Sequence, residues 1–255
     1  MLSDFSVIVR RFDSAIKIAC ISDIHFGALE HMEREWKNFI QMVLADPNLY
    51  LILNGDLINN NTRSSVGSPW DDTIRPREQK KQMVELLTPI KDRILCCTSG
   101  NHERRSLKDA DDDPTYDIMT KLDLEDVYRQ NAAFLKIQLR NDGHATYTFA
   151  VTHGAGGGIY TGATVNRNER WGNVIDGLDC LIVGHTHKGT VSRPSKIVFD
   201  PYNNKVTVKD YLVVSSVAWQ NYSGYALQKM LLPASTGNPQ ILHLSDKEKH
   251  IEVRW

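Results

Sequence analysis

Long apolar runs are absent from this 255-residue sequence. A membrane-spanning helix needs about 20 apolar residues in succession, and no stretch approaches that length, so we expect no membrane partner. The first residues, MLSDFSVIVRRFDS, carry acidic side chains and only a short apolar run. They are therefore a poor match to a secretory signal peptide.

Cysteine is scarce, and no two cysteines have the CxxC spacing of a thiolate zinc site. Each lies in an apolar, strand-like run, and the four are Cys20, Cys96, Cys97 and Cys180. We therefore expect reduced thiols that pack as small apolar side chains. This usage favours a cytoplasmic protein.

An excess of charge of either sign is also absent, since the formal net charge is −1. Such a chain has no long-range attraction to nucleic acid or to an anionic membrane, although a local basic patch is compatible with this value. With 41% hydrophobic and 24% charged residues, the sequence has the composition of a folded globular protein. Its length fits one large α/β domain.

The first part of the chain alternates between the two hydrophobic periods. Three strands are predicted by the apolar runs at 15–22, 49–54 and 93–99. Between them, apolar residues at helical spacing predict two helices, at about 32–44 and 83–90. Pro89 is expected to end or kink the second helix. This β-α-β-α-β order predicts parallel strands with helices packed on the sheet.

The second part of the chain is richer in strands. Alternating runs after residue 133 predict several short strands, with a turn at Asn203-Asn204 and a hairpin at the end of the chain. Because so many strands follow the first βαβ units, we expect two packed sheets. There is no repeat and no linker, so we interpret residues 1–255 as one domain. A polar insertion at 104–130 is expected to rim the site that follows the third strand.

Polar side chains follow five of the predicted strands, at the point where each strand ends. They are Asp23 and His25 in SDIHFG, Asp56 in NGDLIN, Asn101 and His102 in SGNHERR, His153 in THGAGGG, and His185 and His187 in VGHTHK. Ligands bind beyond the carboxyl ends of the strands in α/β sheets. We therefore expect these groups to converge.

The spacing within two of these motifs supports convergence. In extended backbone, residues two apart project to the same side, so Asp23 and His25 can face one site, as can His185 and His187. Each motif alone is weak, because a single DxH or GD is more often an ordinary turn. Five motifs on five strand ends make coincidence a poor explanation.

Imidazole, carboxylate and amide groups without a thiolate are typical of sites for Mn, Fe, Zn or Ni. Eight polar groups are too many for one ion. They suit two ions that share a bridging carboxylate, and Asp56, which stands alone on its loop, is the natural bridge.

These motifs resemble those of the calcineurin-like metallophosphoesterase superfamily, whose pattern is D-x-H, G-D, G-N-H-[DE], H and G-H-x-H. All five blocks are complete between about residues 16 and 190. The stretches NGDLINN, RPREQ and GNHERR are also similar to phage and prophage members. The resemblance implies a four-layer α/β/β/α sandwich of two mixed sheets flanked by helices.

The resemblance also implies roles for single residues. One ion would be held by Asp23, His25, Asp56 and His187, and the second by Asp56, Asn101, His153 and His185. His102 would be a catalytic histidine that binds no metal.

The chemistry expected of such a site is attack on phosphorus by a hydroxide that bridges two divalent ions, with Mn as the first expectation. His102 would then act as general acid, a role typically worth about 10²–10⁴-fold in rate. We also expect Arg104, which follows the GNHE block, to bind substrate phosphate together with Asn101, because a guanidinium suits phosphate oxygens.

The leading hypothesis is a metal-dependent hydrolase of a phosphodiester or phosphomonoester, with a nucleotide or a nucleic acid end among the candidate substrates. An alternative is a manganese-dependent DNA or RNA nuclease of the SbcD type, which ranks second because the chain is not basic. A third is a non-catalytic protein-binding scaffold, which predicts substituted motifs, and none is substituted. Substrate specificity is expected to lie in the loops at 59–80, 104–130 and 156–172.

Overall fold

The structure of the protein is a computed structural model, and it describes residues 4–63, 65–68, 70, 72–140 and 145–255. Its strands are β1 (Val7–Phe12), β2 (Ile16–Ile21), β3 (Leu49–Asn54), β4 (Ile94–Thr98), β5 (Tyr128–Arg129), β6 (Ala132–Leu139), β7 (Thr146–Thr152), β8 (Cys180–Val183), β9 (Thr190–Ser192), β10 (Ser195–Asp200), β11 (Lys205–Asp210), β12 (Leu212–Ser215), β13 (Ile241–Leu244) and β14 (Ile251–Arg254). Its helices are α1 (Glu33–Ala45), α2 (Pro76–Leu87), α3 (Glu103–Ala110), α4 (Pro114–Lys121), α5 (Thr161–Gly172) and α6 (Gly224–Gln228).

Twelve of these strands form two mixed sheets of six. The first sheet has the order β14-β13-β2-β3-β4-β5, in which β2 to β5 are parallel and β13 is antiparallel to β2. The second has the order β1-β6-β7-β8-β12-β9, in which β7, β8 and β12 are parallel. Strands β10 and β11 form a separate antiparallel hairpin.

The two sheets pack face to face, and helices cover their outer faces. Side chains of the first sheet such as Ile18 and Ile52 share one buried cluster with Leu135, Phe149 and Ile182 of the second. Helices α1, α2 and α4 pack on the other face of the first sheet, and Trp171 of α5 packs on the other face of the second. The predicted four-layer α/β/β/α sandwich is therefore confirmed.

Local sequence signals explain where the covering helices lie. Helix α1 buries an apolar stripe at helical spacing, formed by Trp36, Phe39, Ile40 and Val43. Pro76 occupies the first turn of α2, where its missing N–H has no intrahelical partner to lose. After Leu87 the chain tightens into a 3₁₀ turn at Thr88–Arg93, so Pro89 follows the end of the helix as predicted.

Some elements differ from the sequence predictions. Strand β1 was not predicted, and it pairs in parallel with β6 at the edge of the second sheet. The segment 104–130 contains most of α3, then α4, and then β5, which adds an edge strand to the first sheet. Its role as a rim, and the single-domain interpretation, stay predictions. The turn at Asn203-Asn204 and the terminal hairpin are confirmed by the β10–β11 and β13–β14 pairs.

The four cysteines are all buried and free of disulfides, as expected. Burial raises the pKa of each thiol above its usual value. No helix in the described part of the chain has the length and apolar character needed to cross a bilayer.

Candidate metal centre

The loops that carry the predicted motifs meet at one edge of the sandwich. They follow β2, β3 and β4 of the first sheet and β7 and β8 of the second. Three groups have ligand atoms within 4.8 Å of one another: Asp23, His25 and His187; His25, Asp56 and His102; and Asp56, His153 and His185. All eight polar residues singled out in the sequence lie in this cluster, since Asn101 contacts two of the histidines.

The backbone of five of these residues is left-handed, which corrects the expectation of extended backbone. The φ angles are 54° at Asp23, 47° at His25, 52° at Asp56, 70° at His185 and 56° at His187. Such a conformation costs on the order of 1–3 kcal/mol at a non-glycine residue and is characteristic of functional sites. The side chains therefore converge because each loop turns sharply, and His185 and His187 belong to different groups.

Two glycines allow the loops to approach one another. A Cβ atom on Gly100 would lie 2.0 Å from Asp56 Oδ1, and one on Gly184 would lie 2.0 Å from Ser22 Oγ. No larger residue fits at either position without moving the carboxylate of Asp56 or the hydroxyl beside Asp23. The glycines of GNH and GHTH are thus part of the construction of the site.

We call Asp23, His25 and His187 the first half-site. His187 Nε2 lies 3.1 Å from His25 Nε2 and 3.2 Å from Asp23 Oδ1. The other oxygen, Asp23 Oδ2, accepts hydrogen bonds from Ser22 Oγ at 2.6 Å and from the backbone N–H of His185 at 2.9 Å. Asp23 Oδ1 is buried and has no hydrogen-bond partner of good geometry among the described residues. A buried carboxylate oxygen in this state is stabilised by a cation.

The two imidazoles of the first half-site differ in protonation. Burial, with the charge of His102 in addition, lowers the pKa of His25 well below its usual value. Burial alone would also lower the pKa of His187, but the charge of Asp23 raises it. One imidazole is therefore held neutral and ready to act as a ligand.

We call Asp56, His153, His185 and Asn101 the second half-site. Asn101 Oδ1 lies 3.0 Å from His153 Nε2 and 2.6 Å from His185 Nδ1. Asp56 Oδ2 lies 3.2 Å from His153 Nε2. His153 Nδ1 lies 2.8 Å from the carbonyl oxygen of Asn54, which only accepts, so Nδ1 carries a proton and Nε2 faces the site. This is the arrangement that orients histidine ligands of metals.

Protonation also differs within the second half-site. Burial alone would lower the pKa of His153, but the carboxylate of Asp56 raises it to about 10. The pKa of His185 is lowered by burial and by the charge of His153. A proton on His153 thus supplies the positive charge that the surrounding oxygens require.

Asp56 faces both half-sites. Its Oδ2 lies 3.8 Å from His25 Nε2 and 3.2 Å from His153 Nε2. Burial alone would raise the pKa of Asp56, but the charges of His153 and His102 hold it well below its usual value. This ionised carboxylate has the position that a ligand shared between two cations requires.

His102 lies beside Asp56 and His25. Its Nε2 is 3.9 Å from Asp56 Oδ2, and its ring is 4.3 Å from the ring of His25, centroid to centroid. His102 Nδ1 lies 2.6 Å from the carbonyl oxygen of Asn59. Because this oxygen only accepts, Nδ1 is protonated and Nε2 faces the site. Burial lowers the pKa of His102.

Two residues that support the site were missed in the sequence. Glu103 is fully buried and accepts hydrogen bonds from the backbone N–H groups of Asp56 at 3.0 Å, Gly100 at 2.9 Å and Ile58 at 3.1 Å. Burial and the charge of Asp56 raise the pKa of Glu103 to about 7. Ser22 is the second, through its contact with Asp23. Glu103 could have been found, because it is the fourth residue of the GNHE motif. No motif in the sequence indicated a role for Ser22.

The neighbouring arginines occupy different surroundings. Arg104 Nη2 donates to the carbonyl oxygen of Gln130 at 3.4 Å, and its predicted contact with substrate stays a prediction. Arg105 Nη1 donates to the carbonyl oxygen of Asn59 at 3.2 Å, which is the oxygen that also accepts from His102. Of the two arginines, Arg105 is therefore the one that shares a hydrogen-bond acceptor with His102.

The residues present fit divalent cations. Imidazole and carboxylate ligands at about 2.0–2.2 Å from an ion place neighbouring donor atoms about 3.0–3.5 Å apart. The contacts of His187 Nε2 at 3.1 and 3.2 Å, and those of His153 Nε2 at 3.0 and 3.2 Å, have this spacing. A cation would bind Asp23 Oδ1, which has no hydrogen bond of good geometry among the described residues, and would replace a proton on His153.

Comparisons with known proteins agree with this geometry. A sequence profile of the calcineurin-like phosphoesterase family matches residues 16–189, more than half of the chain, and this range includes both half-sites. No curated protein matches the chain. A solved structure from Streptococcus pneumoniae TIGR4, a conserved uncharacterized protein described as a predicted phosphoesterase, is 10% identical. It aligns over 94% of this chain and 99% of its own with a TM-score of 0.36, which is too low to carry an argument. On the family match, the chain belongs to the calcineurin-like phosphoesterases.

Proposed function

We propose that this phosphoesterase holds one divalent ion in each half-site and hydrolyses a phosphodiester, or a phosphomonoester, with His102 as the general acid. The observation that supports the proposal most strongly is the position of Asp56. Its carboxylate lies within 3.8 Å of an imidazole nitrogen in each half-site, as a shared ligand must. A site for a single ion would require only one of the two groups of imidazoles that flank this carboxylate.

The donor atoms divide between the two ions in a simple way. Asp23, His25 and His187 would hold the first ion, and His153, His185 and Asn101 the second, with Asp56 common to both. Bound divalent ions polarise phosphoryl oxygens and make hydroxide available near neutral pH. Imidazole and oxygen donors without a thiolate favour Mn, with Fe, Zn or Ni as alternatives.

His102 is suited to deliver a proton to the leaving oxygen. Its Nδ1–H is committed to the carbonyl oxygen of Asn59 at 2.6 Å, so a second proton must reside on Nε2, which faces the site. Burial lowers the pKa of His102, so the neutral imidazole is the favoured form, and the imidazolium, once formed, is a stronger acid toward the leaving oxygen. Transfer from Nε2 to the departing alkoxide leaves neutral His102 and an alcohol.

The test is the hydrolysis of bis(p-nitrophenyl) phosphate in Mn²⁺ by the wild-type protein and by His102→Ala. We expect turnover by the wild type and a loss of about 10²–10⁴-fold in kcat in the variant, with the metal content unchanged. His250→Ala, at an exposed histidine outside the cluster, is the matched control. Near-normal kcat in His102→Ala would contradict the assignment, and p-nitrophenyl phosphate and single-stranded DNA as further substrates test the monoesterase and nuclease alternatives.

A further inference from the structure

A cavity of about 360 Å³ opens beside the metal centre, with His185 and His187 in its wall. Its other walls are the glycine segment 156–159 and two stretches of the segment 218–236. The segment 218–236 lies beyond the family match at 16–189, and no motif in the sequence indicated that it would line a pocket. We name this cavity the side pocket.

The side pocket is almost free of charge. Apart from the two histidines, Lys188 is the one ionisable cation among its lining residues, all of which belong to the described chain, and there is no carboxylate. Lys188 Nζ is bound to the carbonyl oxygen of Ile159 at 2.8 Å and to that of Gly158. The ammonium group of Lys188 therefore holds the glycine segment through two neutral carbonyl oxygens, and the described lining offers no carboxylate.

Two carboxamide side chains lie in the wall formed by the segment 218–236. Gln220 and Asn221 line the pocket, and within the described chain their side chains have no hydrogen-bond partner. Tyr222 follows them, with its hydroxyl donated to the carbonyl oxygen of Leu231 at 2.6 Å. The wall therefore presents amide donors and acceptors that are open to a ligand, next to an aromatic ring and the apolar side chains of Leu231 and Leu232.

This wall is fixed relative to the metal centre. The backbone N–H of Trp219 donates to the carbonyl oxygen of Asp23 at 3.0 Å, and that of Asn221 donates to Glu30 at 2.8 Å. The Trp219 ring is fully buried and packs on Trp36 at 5.0 Å. The glycine wall is held as well, because Arg167 donates to two of its carbonyl oxygens at 3.1 and 2.7 Å. The pocket is thus preformed and tied directly to a residue of the first half-site.

We infer that the side pocket binds one organic arm of the phosphate ester, and that this arm is an uncharged, flat group with a hydrogen-bonding edge, as a nucleoside is. Carboxamides pair with the edges of nucleobases, aromatic rings stack on their faces, and the volume lies within the range of small-molecule sites. The lining has no carboxylate to pair with an ammonium group, and its one lysine is already engaged by backbone carbonyl oxygens, so an uncharged arm fits it best. This inference rests on the proposed function, since it places an arm of that substrate.

The first experiment measures binding without catalysis. We expect thymidine alone to bind the Mn²⁺-loaded wild-type protein in a calorimetric titration and to lose binding in Ala234→Trp, which fills the pocket. Ala45→Trp, at an exposed position on α1, is the matched control and should bind normally. Absence of thymidine binding to the wild type would overturn the inference, as would binding that Ala234→Trp leaves intact.

The second experiment measures selectivity between ester arms. The wild type should hydrolyse thymidine 5′-(p-nitrophenyl phosphate) with a kcat/KM well above that for ethyl p-nitrophenyl phosphate or p-nitrophenyl phosphorylcholine. In Gln220→Ala/Asn221→Ala the ratio of the nucleoside ester to the ethyl ester should fall by about 10-fold, the effect of losing a paired hydrogen bond to a base. An unchanged ratio would contradict the inference. If no ester is hydrolysed while thymidine still binds, the proposed function fails and the pocket assignment stands.

Discussion

The two half-sites contain similar residues but differ in the hydrogen bonds that these residues make. In the second, Asn101 Oδ1 lies within hydrogen-bonding distance of both imidazoles, and a proton is retained on His153, whose pKa is raised to about 10. In the first, no amide lies between the histidines, and Asp23 Oδ1 is buried without a hydrogen bond of good geometry to any described residue. The polar groups of the second half-site therefore make more hydrogen bonds than those of the first, where Asp23 Oδ1 has a contact with His187 Nε2 at 3.2 Å.

This difference predicts unequal binding. An ion entering the first half-site would bind Asp23 Oδ1, an oxygen whose contact with His187 Nε2 at 3.2 Å is not a hydrogen bond of good geometry. An ion entering the second must displace the proton on His153 and the hydrogen bonds of Asn101. We therefore expect the first half-site to fill at lower metal concentration than the second. Asp56, which both share, is the residue whose loss should remove the difference altogether.

The largest effect is expected for Asp56→Ala. Losing a partner outside the ligand shell costs about 10–100-fold in metal affinity, so losing the shared ligand should cost more than about 100-fold in both half-sites and abolish turnover. Isothermal titration with Mn²⁺ measures both affinities. Retention of one tight site in this variant would show that Asp56 is not shared.

A half-site-specific loss is expected when a ligand of only one half-site is removed. Asp23→Ala should abolish the tighter binding event and keep the weaker one, because it removes the only carboxylate that belongs to the first half-site alone. Asn101→Ala should do the reverse, weakening the second event while the first is kept. Titration of the two variants side by side makes each the control for the other. Equal loss of both events in each variant would contradict the division into half-sites.

The pH dependence of metal binding should separate the half-sites further. In the metal-free protein the pKa of His153 is raised to about 10, so near neutral pH an ion must displace that proton. The affinity of the second half-site should therefore rise with pH between 6 and 8, by up to about tenfold per pH unit for one proton released. Calorimetry in buffers of different ionisation enthalpy counts the protons. Binding without proton release at the second half-site would contradict the raised pKa.

The smallest effect among the substitutions is expected for Ser22→Ala. Ser22 Oγ donates to Asp23 Oδ2 at 2.6 Å, and loss of such an outer partner typically costs about 10–100-fold in metal affinity. The loss should be confined to the first half-site. Ser106→Ala, which removes a buried hydroxyl bonded to Asn60, is a matched control and should affect neither binding event.

Much of the fold, and the set of residues that converge at one edge of the sandwich, could be predicted from the sequence. The apolar periods placed β2, β3, β4 and the helices between them, because burial imposes those periods. The motifs at the strand ends identified the residues that converge, since parallel strands bring their carboxyl ends to one edge.

The remaining features depend on contacts between distant parts of the chain. The left-handed turns at Asp23 and His187 form where neighbouring loops meet. The need for glycine at position 184 follows only from its close approach to Ser22 in the folded protein. The wall at Gln220 and Asn221 approaches the site because Trp219 is buried against α1. No local pattern encodes that approach, so the sequence pointed to the loop at 156–172, which contains the glycine wall of the pocket, and not to this segment.

The most direct test of the two half-sites is the number of Mn²⁺ ions bound per chain at saturation, measured by mass spectrometry of metals after removal of free ion. The half-site arrangement predicts about two ions per wild-type chain, about one in Asp23→Ala, and fewer than one in Asp56→Ala. A wild-type chain that saturates with a single ion, or an Asp56→Ala chain that still binds two, would contradict it.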